Sequence, residues 1–295
     1  MKKLGRIGLF LLTNVAVIVT ISIILNILGV GHYITETGLD YKALAIFCLC
    51  WGMIGSFISL AISRMMAKWS MGVKLVDPES PGQFKWYLET THRLARKAEI
   101  KVMPQVGYYE SPEINGFATG PTKNRALVAL STGLMQKMNE NEIEGVIAHE
   151  IAHIQNGDMV TMTLLQGVIN AFVMFFARVI AFAASQKVKE EQAWMVRFAV
   201  TIVLEIVFGM LGVMITSWFS RKREFRADKG SAALAGREKM IAALEALQRN
   251  AGIQAPNEAG SFATMKISGK KSKFLSLFST HPPLEKRLRA LQTGR

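Results

Sequence analysis

The sequence is short of cysteine and of charge. Its two cysteines, Cys48 and Cys50, stand two apart inside an apolar run, which excludes a disulfide framework and a Cys-x-x-Cys metal site. Charged residues make up 19% of the chain, whereas soluble domains carry about 25%. Half of the residues are hydrophobic. The shortage of charge therefore indicates that part of the chain contacts lipid.

Basic residues outnumber acidic ones, 35 to 22, which gives a formal net charge of +13. Many of them lie beside long apolar runs, as is typical of the flanks of membrane spans. No RNA- or DNA-binding motif occurs between them. We therefore expect a lipid bilayer, and no nucleic acid, as a partner. The flanking residues are Lys2, Lys3, Arg6, Arg64, Lys68, Arg221, Lys222, Arg223 and Arg226.

Four apolar runs are long enough to cross a bilayer, which takes about 20 residues. The first has a basic start, but it exceeds the roughly 7–15 apolar residues of a signal peptide and no small-residue cleavage site follows it. We interpret it as a retained span. The third run contains Arg178 and the fourth contains Glu205. The four runs are Ile7–Val30, Ala43–Ser63, Met159–Ala184 and Phe198–Phe219.

The basic flanks predict which parts of the chain face the cytoplasm. By the positive-inside rule, the N-terminus and the regions after residues 64 and 220 are cytoplasmic. The chain then divides into an N-terminal transmembrane hairpin, a first cytoplasmic part, a second hydrophobic hairpin and a second cytoplasmic part. These segments are 1–63, 64–158, 159–219 and 220–295.

The cytoplasmic parts contain helix and strand patterns separated by turn formers. Asn139 followed three residues later by Glu142 predicts a capping box at the start of a helix. The other predicted helices are Gln83–Glu99, Arg237–Arg249 and Leu284–Leu291. The predicted strands are Pro104–Tyr109, Ile114–Thr119 and Ala126–Leu130.

The helix after Asn139 contains His149-Glu150-Ile151-Ala152-His153. Because four residues make about one helical turn, both imidazoles project from one face and can bind one Zn²⁺ ion. Glu150 can take the proton of an attacking water and later pass it to the leaving amine. Two solvated histidines on a surface helix are the alternative, but the neighbouring residues are apolar. The motif therefore predicts a zinc endopeptidase.

A catalytic zinc needs a third protein ligand. The motif lacks the further histidine of the metzincins, so the ligand must lie downstream. Spacing favours Glu224, with Asp228 one helical turn later as the carboxylate that orients a ligand histidine. Asp158, at the end of the motif helix, is expected to point away. The candidates that spacing leaves open are Asp158, Glu205, Glu224, Asp228, Glu238 and His281.

The order of these features resembles the HtpX family of bacterial membrane zinc metalloproteases and, more distantly, the CAAX prenyl endopeptidases. Two further motifs carry the resemblance. Asn115-Gly116-Phe117-Ala118 is similar to the family's Asn-Ala-Phe-Ala, with glycine for the first alanine, and Thr280-His281-Pro282-Pro283 matches its C-terminal His-Pro element. The resemblance covers essentially the whole chain.

The resemblance implies an α+β membrane protein with a mostly helical, gluzincin-like zinc protease domain, a small β-sheet and four transmembrane helices. It implies one Zn²⁺ per chain, with Glu224 as the third ligand beside His149 and His153. It also implies cleavage of misfolded or damaged membrane proteins, and of unfolded proteins, at the cytoplasmic face of the bacterial inner membrane. A multi-pass quality-control protease is therefore expected.

Two substrate-facing features are expected in the protease domain. Residues 115–119, which include Asn115, Gly116, Phe117 and Ala118, should form an edge strand that binds substrate backbone in antiparallel fashion. A proline at Phe117 should then cripple cleavage without removing zinc. His281 is a second catalytic candidate that could donate to the developing oxyanion or approach the zinc, and a packing or helix-capping role is the alternative.

Two other functions remain open at this point. One is a membrane scaffold or chaperone that keeps the zinc fold without catalysis, which Glu150 argues against. The other is a basic membrane-surface protein with a structural zinc, for which cysteine ligands would be expected.

The charges inside the second hairpin suggest a pair. Arg178 lies 13 residues before residue 191, the centre of the loop, and Glu205 lies 14 after it. In an antiparallel hairpin, equal distance from the turn means equal depth. We predict that they form an ion pair facing away from lipid. The alternative is that Glu205 faces a wet cavity leading towards the zinc while Arg178 extends to the nearer interface.

Overall fold

The computed structural model describes residues 18–27, 29, 33–35, 38–79, 82–250 and 275–294. They fall into two compact units. The span unit comprises the described residues of Met1–Ala61 and of Val160–Thr216, and the site unit comprises those of Ile62–Met159 and of Ser217–Arg295.

Helices dominate both units. Short 3₁₀ turns occur at Lys123–Arg125 and Leu275–Phe278. The described helices are α1 (Ile18–Ile27), α2 (Tyr41–Ser70), α3 (Gln83–Lys97), α4 (Thr132–Lys137), α5 (Glu140–Asn156), α6 (Asp158–Ser185), α7 (Glu190–Ala235), α8 (Arg237–Asn250) and α9 (Leu284–Thr293).

Helices α2, α6 and α7 are long and apolar enough to cross a membrane. They contain the second, third and fourth predicted spans. Most of the predicted first span, Ile7–Val30, lies outside the described residues, which include only the apolar helix α1 and Gly29 from it. Helix α7 is longer than predicted, since it continues beyond Phe219 to Ala235 without a break. Its final turns therefore carry Glu224 and Asp228.

The strands form two small sheets. Four of them, in the order β3-β4-β6-β5, make the sheet of the site unit. The β4–β6 pair is parallel, and β3 and β5 are antiparallel to their neighbours. The hairpin β1–β2 and the short strand β3 were not predicted. The strands are β1 (Ile34–Thr35), β2 (Gly38–Leu39), β3 (Lys74–Leu75), β4 (Gln105–Tyr109), β5 (Gly116–Thr119) and β6 (Leu127–Ser131).

Helix α5 runs through the core of the site unit, and its middle is buried on all sides. The predicted capping box is confirmed: Asn139 accepts from the Glu142 N–H and the Glu142 carboxylate accepts from the Asn139 N–H. Gly157 ends the helix with φ of +70°, a conformation that favours glycine. A β-carbon on Gly145 would overlap the Lys239 carbonyl oxygen, so only glycine allows α8 to pack this closely.

The predicted ion pair lies in the span unit. Arg178 Nη1 donates to Glu205 Oε1 at 2.7 Å, and the same nitrogen donates to the Met174 carbonyl oxygen at 3.2 Å. The guanidinium also lies over the Phe47 ring, 5.7 Å from its centroid. The predicted ion pair is confirmed, and it joins α6 to α7 while the arginine contacts α2.

Candidate metal centre

The two histidines of the motif face each other along α5. Their side chains are buried, and their rings meet edge to face with centroids 4.6 Å apart. The His149 Nε2 and His153 Nε2 atoms are 3.1 Å apart. The helical spacing places both rings on one face of α5, because residues four apart lie one above the other.

Glu224 on α7 completes a group that could hold a metal ion. Its Oε2 lies 3.6 Å from His149 Nε2, and its Oε1 lies 3.3 Å from His153 Nε2. Ligands at about 2.0–2.1 Å from a tetrahedral zinc stand about 3.3–3.4 Å apart. The three separations, 3.1, 3.3 and 3.6 Å, therefore fit three corners of such a site.

Each histidine is oriented by an aspartate at its other ring nitrogen. His149 Nδ1 lies 3.0 Å from Asp228 Oδ1, as spacing suggested for Asp228. His153 Nδ1 lies 2.6 Å from Asp158 Oδ2. An imidazole that donates its Nδ1–H to a carboxylate presents Nε2 to a metal.

The expectation that Asp158 points away from the site is wrong. Gly157 turns the chain with its left-handed conformation, and Asp158 becomes the first residue of α6 instead of continuing α5. Its side chain is fully buried, and its second oxygen accepts from Arg226 Nη2. Sequence spacing could not predict the contact between Asp158 and His153. The direction that the chain takes after a left-handed residue depends on how the following helix packs.

Arg287 on α9 is a second residue that sequence reasoning missed. Its guanidinium donates twice to Asp228, from Nε to Oδ2 at 2.8 Å and from Nη2 to Oδ1 at 2.6 Å. Its Nη1 lies 3.4 Å from Glu224 Oε2. The sequence around an arginine in a short polar helix does not indicate that it is buried. Only the packing of α9 shows that Arg287 lies beside Asp228 and Glu224.

The charges around this site favour protonated histidines and an ionised Glu224 in the metal-free protein. Burial lowers the pKa of His149, but the carboxylates of Asp228 and Glu224 more than offset this and raise it to about 9. For His153 burial also lowers the pKa, and hydrogen-bonded carboxylates raise it by more. Burial would raise the pKa of Glu224, yet hydrogen bonds from three histidines hold it far below its ordinary value. A metal must therefore displace protons from the imidazoles, while Glu224 is already a carboxylate.

Glu150 and His281 border the three candidate ligands. Glu150 is 9% exposed, and its negative charge contributes to the raised pKa of both histidines. His281 Nδ1 lies 2.9 Å from Glu224 Oε2, and its side chain is 65% exposed. Glu150 is thus enclosed, whereas His281 lies at the solvent side of Glu224.

The predicted substrate strand is an edge strand, as expected. Among the described residues β5 pairs only with β6. Ala118 packs against the core that contains α5, and a β-carbon on Gly116 would lie 3.4 Å from Val146 of α5. Phe117 faces the other side, with its ring 5.7 Å from that of Tyr109. The same hypothetical β-carbon would lie 2.6 Å from Leu130 Cδ2, so an alanine here would require the Leu130 side chain to shift.

Comparisons with known proteins agree with this arrangement. The profile of Peptidase family M48 matches residues 81–294. Protease HtpX homolog of Bacillus velezensis is 50% identical over 294 residues, covering 97% of this chain and 98% of that protein. Protease HtpX of Hydrogenovibrio crunogenus is 51% identical over 290 residues, covering 97% and 96%.

A solved structure shares the fold. The crystal structure of S. mikatae Ste24p superposes with a TM-score of 0.63 at 17% identity, over 97% of this chain and 66% of that chain. The profile match spans most of the chain, and the HtpX relatives are about half identical along nearly all of it. The chain therefore belongs to peptidase family M48 and is a membrane metallopeptidase of the HtpX family.

Proposed function

We propose that the metal of this peptidase is a single Zn²⁺ held by His149, His153 and Glu224. The observation that carries the proposal is the triangle of ligand atoms, whose edges of 3.1, 3.3 and 3.6 Å suit a zinc tetrahedron. Two imidazoles and one carboxylate are the donor set of several catalytic zinc sites, and they leave the fourth position open. The candidate ligands are nearly enclosed, so hydrolysis would occur away from bulk water.

The chain's own residues supply the proton transfers. Bound zinc lowers the pKa of water and polarises carbonyl groups. Glu150 is the proposed general base, which accepts a proton from the attacking water and donates it to the leaving amine. Asp158 and Asp228 hold the imidazoles so that both Nε2 atoms face the metal position.

His281 is the second proposed catalytic group. Its contact with Glu224 places it beside the ligands, and its exposure leaves it accessible to a bound substrate. An imidazole in this position can donate to the oxyanion that develops during attack on the peptide carbonyl.

The open edge of β5 is the proposed substrate platform. The Ser131 N–H donates to the Asn115 carbonyl at 2.9 Å, and bonded positions alternate along an antiparallel pair. In this register Phe117 also directs its backbone groups at β6, whereas Gly116 and Ala118 direct theirs to the free edge. An extended substrate can pair with these two residues through backbone alone, which suits a protease that accepts many sequences.

This register changes one expectation from the sequence. A proline at Phe117 would remove a bond inside the sheet, and so it would damage β5 itself. A proline at Ala118 would remove a donor from the free edge, where proline is tolerated. Ala118 is therefore the informative position for testing substrate pairing.

The proposed substrates are misfolded or damaged membrane proteins, and unfolded proteins, met at the cytoplasmic face of the bacterial inner membrane. The basic flanks of the predicted spans support this orientation. The edge strand supports substrates with exposed, extended backbone. The alternative, a catalytically idle scaffold or chaperone, would keep the metal and bind the same substrates without cleaving them.

The test uses the full chain, purified in detergent, with casein as an unfolded substrate and with or without a zinc chelator. Glu150→Gln should keep its zinc, measured by elemental analysis, and lose cleavage, because only the base is removed. Glu224→Ala should lose both zinc and cleavage. A Glu150→Gln protein that cleaves at the original rate contradicts the mechanism, and a wild-type protein that binds zinc and casein without cleaving supports the idle scaffold.

A further inference from the structure

The guanidinium of Arg287 connects two carboxylates of the metal centre. Arg287 is 6% exposed, although it comes from α9, 138 residues after His149. It donates twice to Asp228 and lies 3.4 Å from Glu224 Oε2. A single side chain thus contacts both the carboxylate that orients His149 and the carboxylate that is itself a candidate ligand.

Both oxygens of Asp228 are held in this arrangement. Oδ1 accepts from Arg287 Nη2 at 2.6 Å and lies 3.0 Å from His149 Nδ1, and Oδ2 accepts from Arg287 Nε at 2.8 Å. A carboxylate that is fixed at both oxygens cannot rotate. The His149 ring therefore takes its orientation from Asp228, and Asp228 takes its own from Arg287.

We propose that Arg287 is a positioning residue of the metal centre, which sets the separation of His149 and Glu224 by holding the carboxylates of Asp228 and Glu224 with one rigid guanidinium. The inference rests on the proposed function, since it concerns two of the proposed zinc ligands. It adds a residue, on a different helix, whose effect on the metal is indirect.

The chemistry requires arginine at this position. A guanidinium presents its donors in a fixed fork, so it can bind two oxygens of one carboxylate and still direct a third nitrogen at another. A lysine ammonium is a single point of charge and cannot reproduce this pattern. Arg226 provides a contrast, because it makes one contact with Asp158 and its side chain is 53% exposed, so water can replace it.

The experiment measures zinc affinity by competition with a chelator, using the full chain in detergent. Arg287→Lys should keep the charge but weaken zinc binding by about 10–100-fold, the usual effect of losing a residue behind a metal ligand. Its cobalt-substituted form should also show a shifted visible spectrum, since ligand geometry changes. Arg289→Lys is the matched control, an exposed arginine on the same helix, and should leave zinc affinity and spectrum unchanged.

A double-mutant cycle separates positioning from general stability. Because Arg287 acts partly through Asp228, Arg287→Lys should weaken zinc binding less in an Asp228→Asn background, where only the contact with Glu224 remains intact, than in the wild type. Equal losses in the two backgrounds would overturn the proposal, as would an Arg287→Lys protein with wild-type affinity. If Arg287→Lys does not fold, Arg287→Gln, which keeps a donor for Asp228, is measured with the same expectation. A wild-type protein that binds no zinc would instead contradict the proposed function.

Discussion

Exchanging the charges of Arg178 and Glu205 tests the ion pair of the span unit. The pair joins α6 to α7 through a contact of 2.7 Å, with side chains that are 21% and 36% exposed. A charge in a membrane span usually faces protein, water or a partner, and here each provides the partner of the other. Three proteins are needed: Arg178→Glu, Glu205→Arg and the double exchange.

The structure sets the size of the effect. Reversing one partner removes an attraction and adds a repulsion, and each is worth about 4 kcal/mol for charges roughly 4 Å apart at an effective dielectric constant near 20. Rotation of the two side chains away from each other reduces this cost, so we expect each single reversal to destabilise the protein by about 2–4 kcal/mol. The double exchange should recover about half of the summed loss. Recovery is incomplete because a glutamate at 178 cannot donate to the Met174 carbonyl or lie as a cation over Phe47.

Thermal unfolding in detergent and the yield of membrane-inserted protein measure the effect. The control pairs Arg178→Glu with Glu190→Arg, an exposed residue at the start of α7, and should show no recovery. Losses that add in the Arg178–Glu205 double exchange would refute the pairing, because independent sites have no coupling energy.

Two other predictions concern the site unit. Ala118→Pro should keep its zinc and lower casein cleavage about fivefold, the effect of losing one backbone hydrogen bond to substrate. Phe117→Pro should also lower the thermal stability of the protein, because it removes a bond inside the sheet. Unchanged cleavage by a folded Ala118→Pro protein would rule out pairing at this edge. Zinc affinity should rise with pH below pH 9, by about tenfold per pH unit for each proton that zinc displaces. The pKa of His149 in the metal-free protein is raised to about 9 and that of His153 is raised as well, so zinc displaces a proton from each imidazole. Chelator competition between pH 6.5 and 8.5, with calorimetry in two buffers to count released protons, measures this, and an affinity independent of pH in that window contradicts it.

Local periodicity determined much of this protein from its sequence. The four-residue spacing of His149 and His153 places both on one helical face in any packing, and the Asn139–Glu142 capping box needs only one turn of helix. The long apolar runs predicted α2, α6 and α7 because a span needs length and composition alone. Counting from the turn predicted the depth of Arg178 and Glu205.

Only the tertiary structure decided how these elements meet. The rotation of α6 and α7 about their axes, which lets Arg178 contact Glu205, depends on packing with neighbouring helices and has no signature in the run of residues. The order of the sheet depends on β3, two residues long, which is too short to show a period. The register of β5 with β6 decides which backbone N–H groups of β5 point to the free edge of the sheet.

The candidate metal centre shows the same division. Its histidines and Glu150 are specified within one helix, so the sequence determined them. Asp158 and Arg287 reach it through a left-handed turn at Gly157 and through the docking of a helix from the end of the chain. The proposed roles of both residues depend on contacts that only the packed core brings together, because a buried charge is stable only where the fold provides its partner.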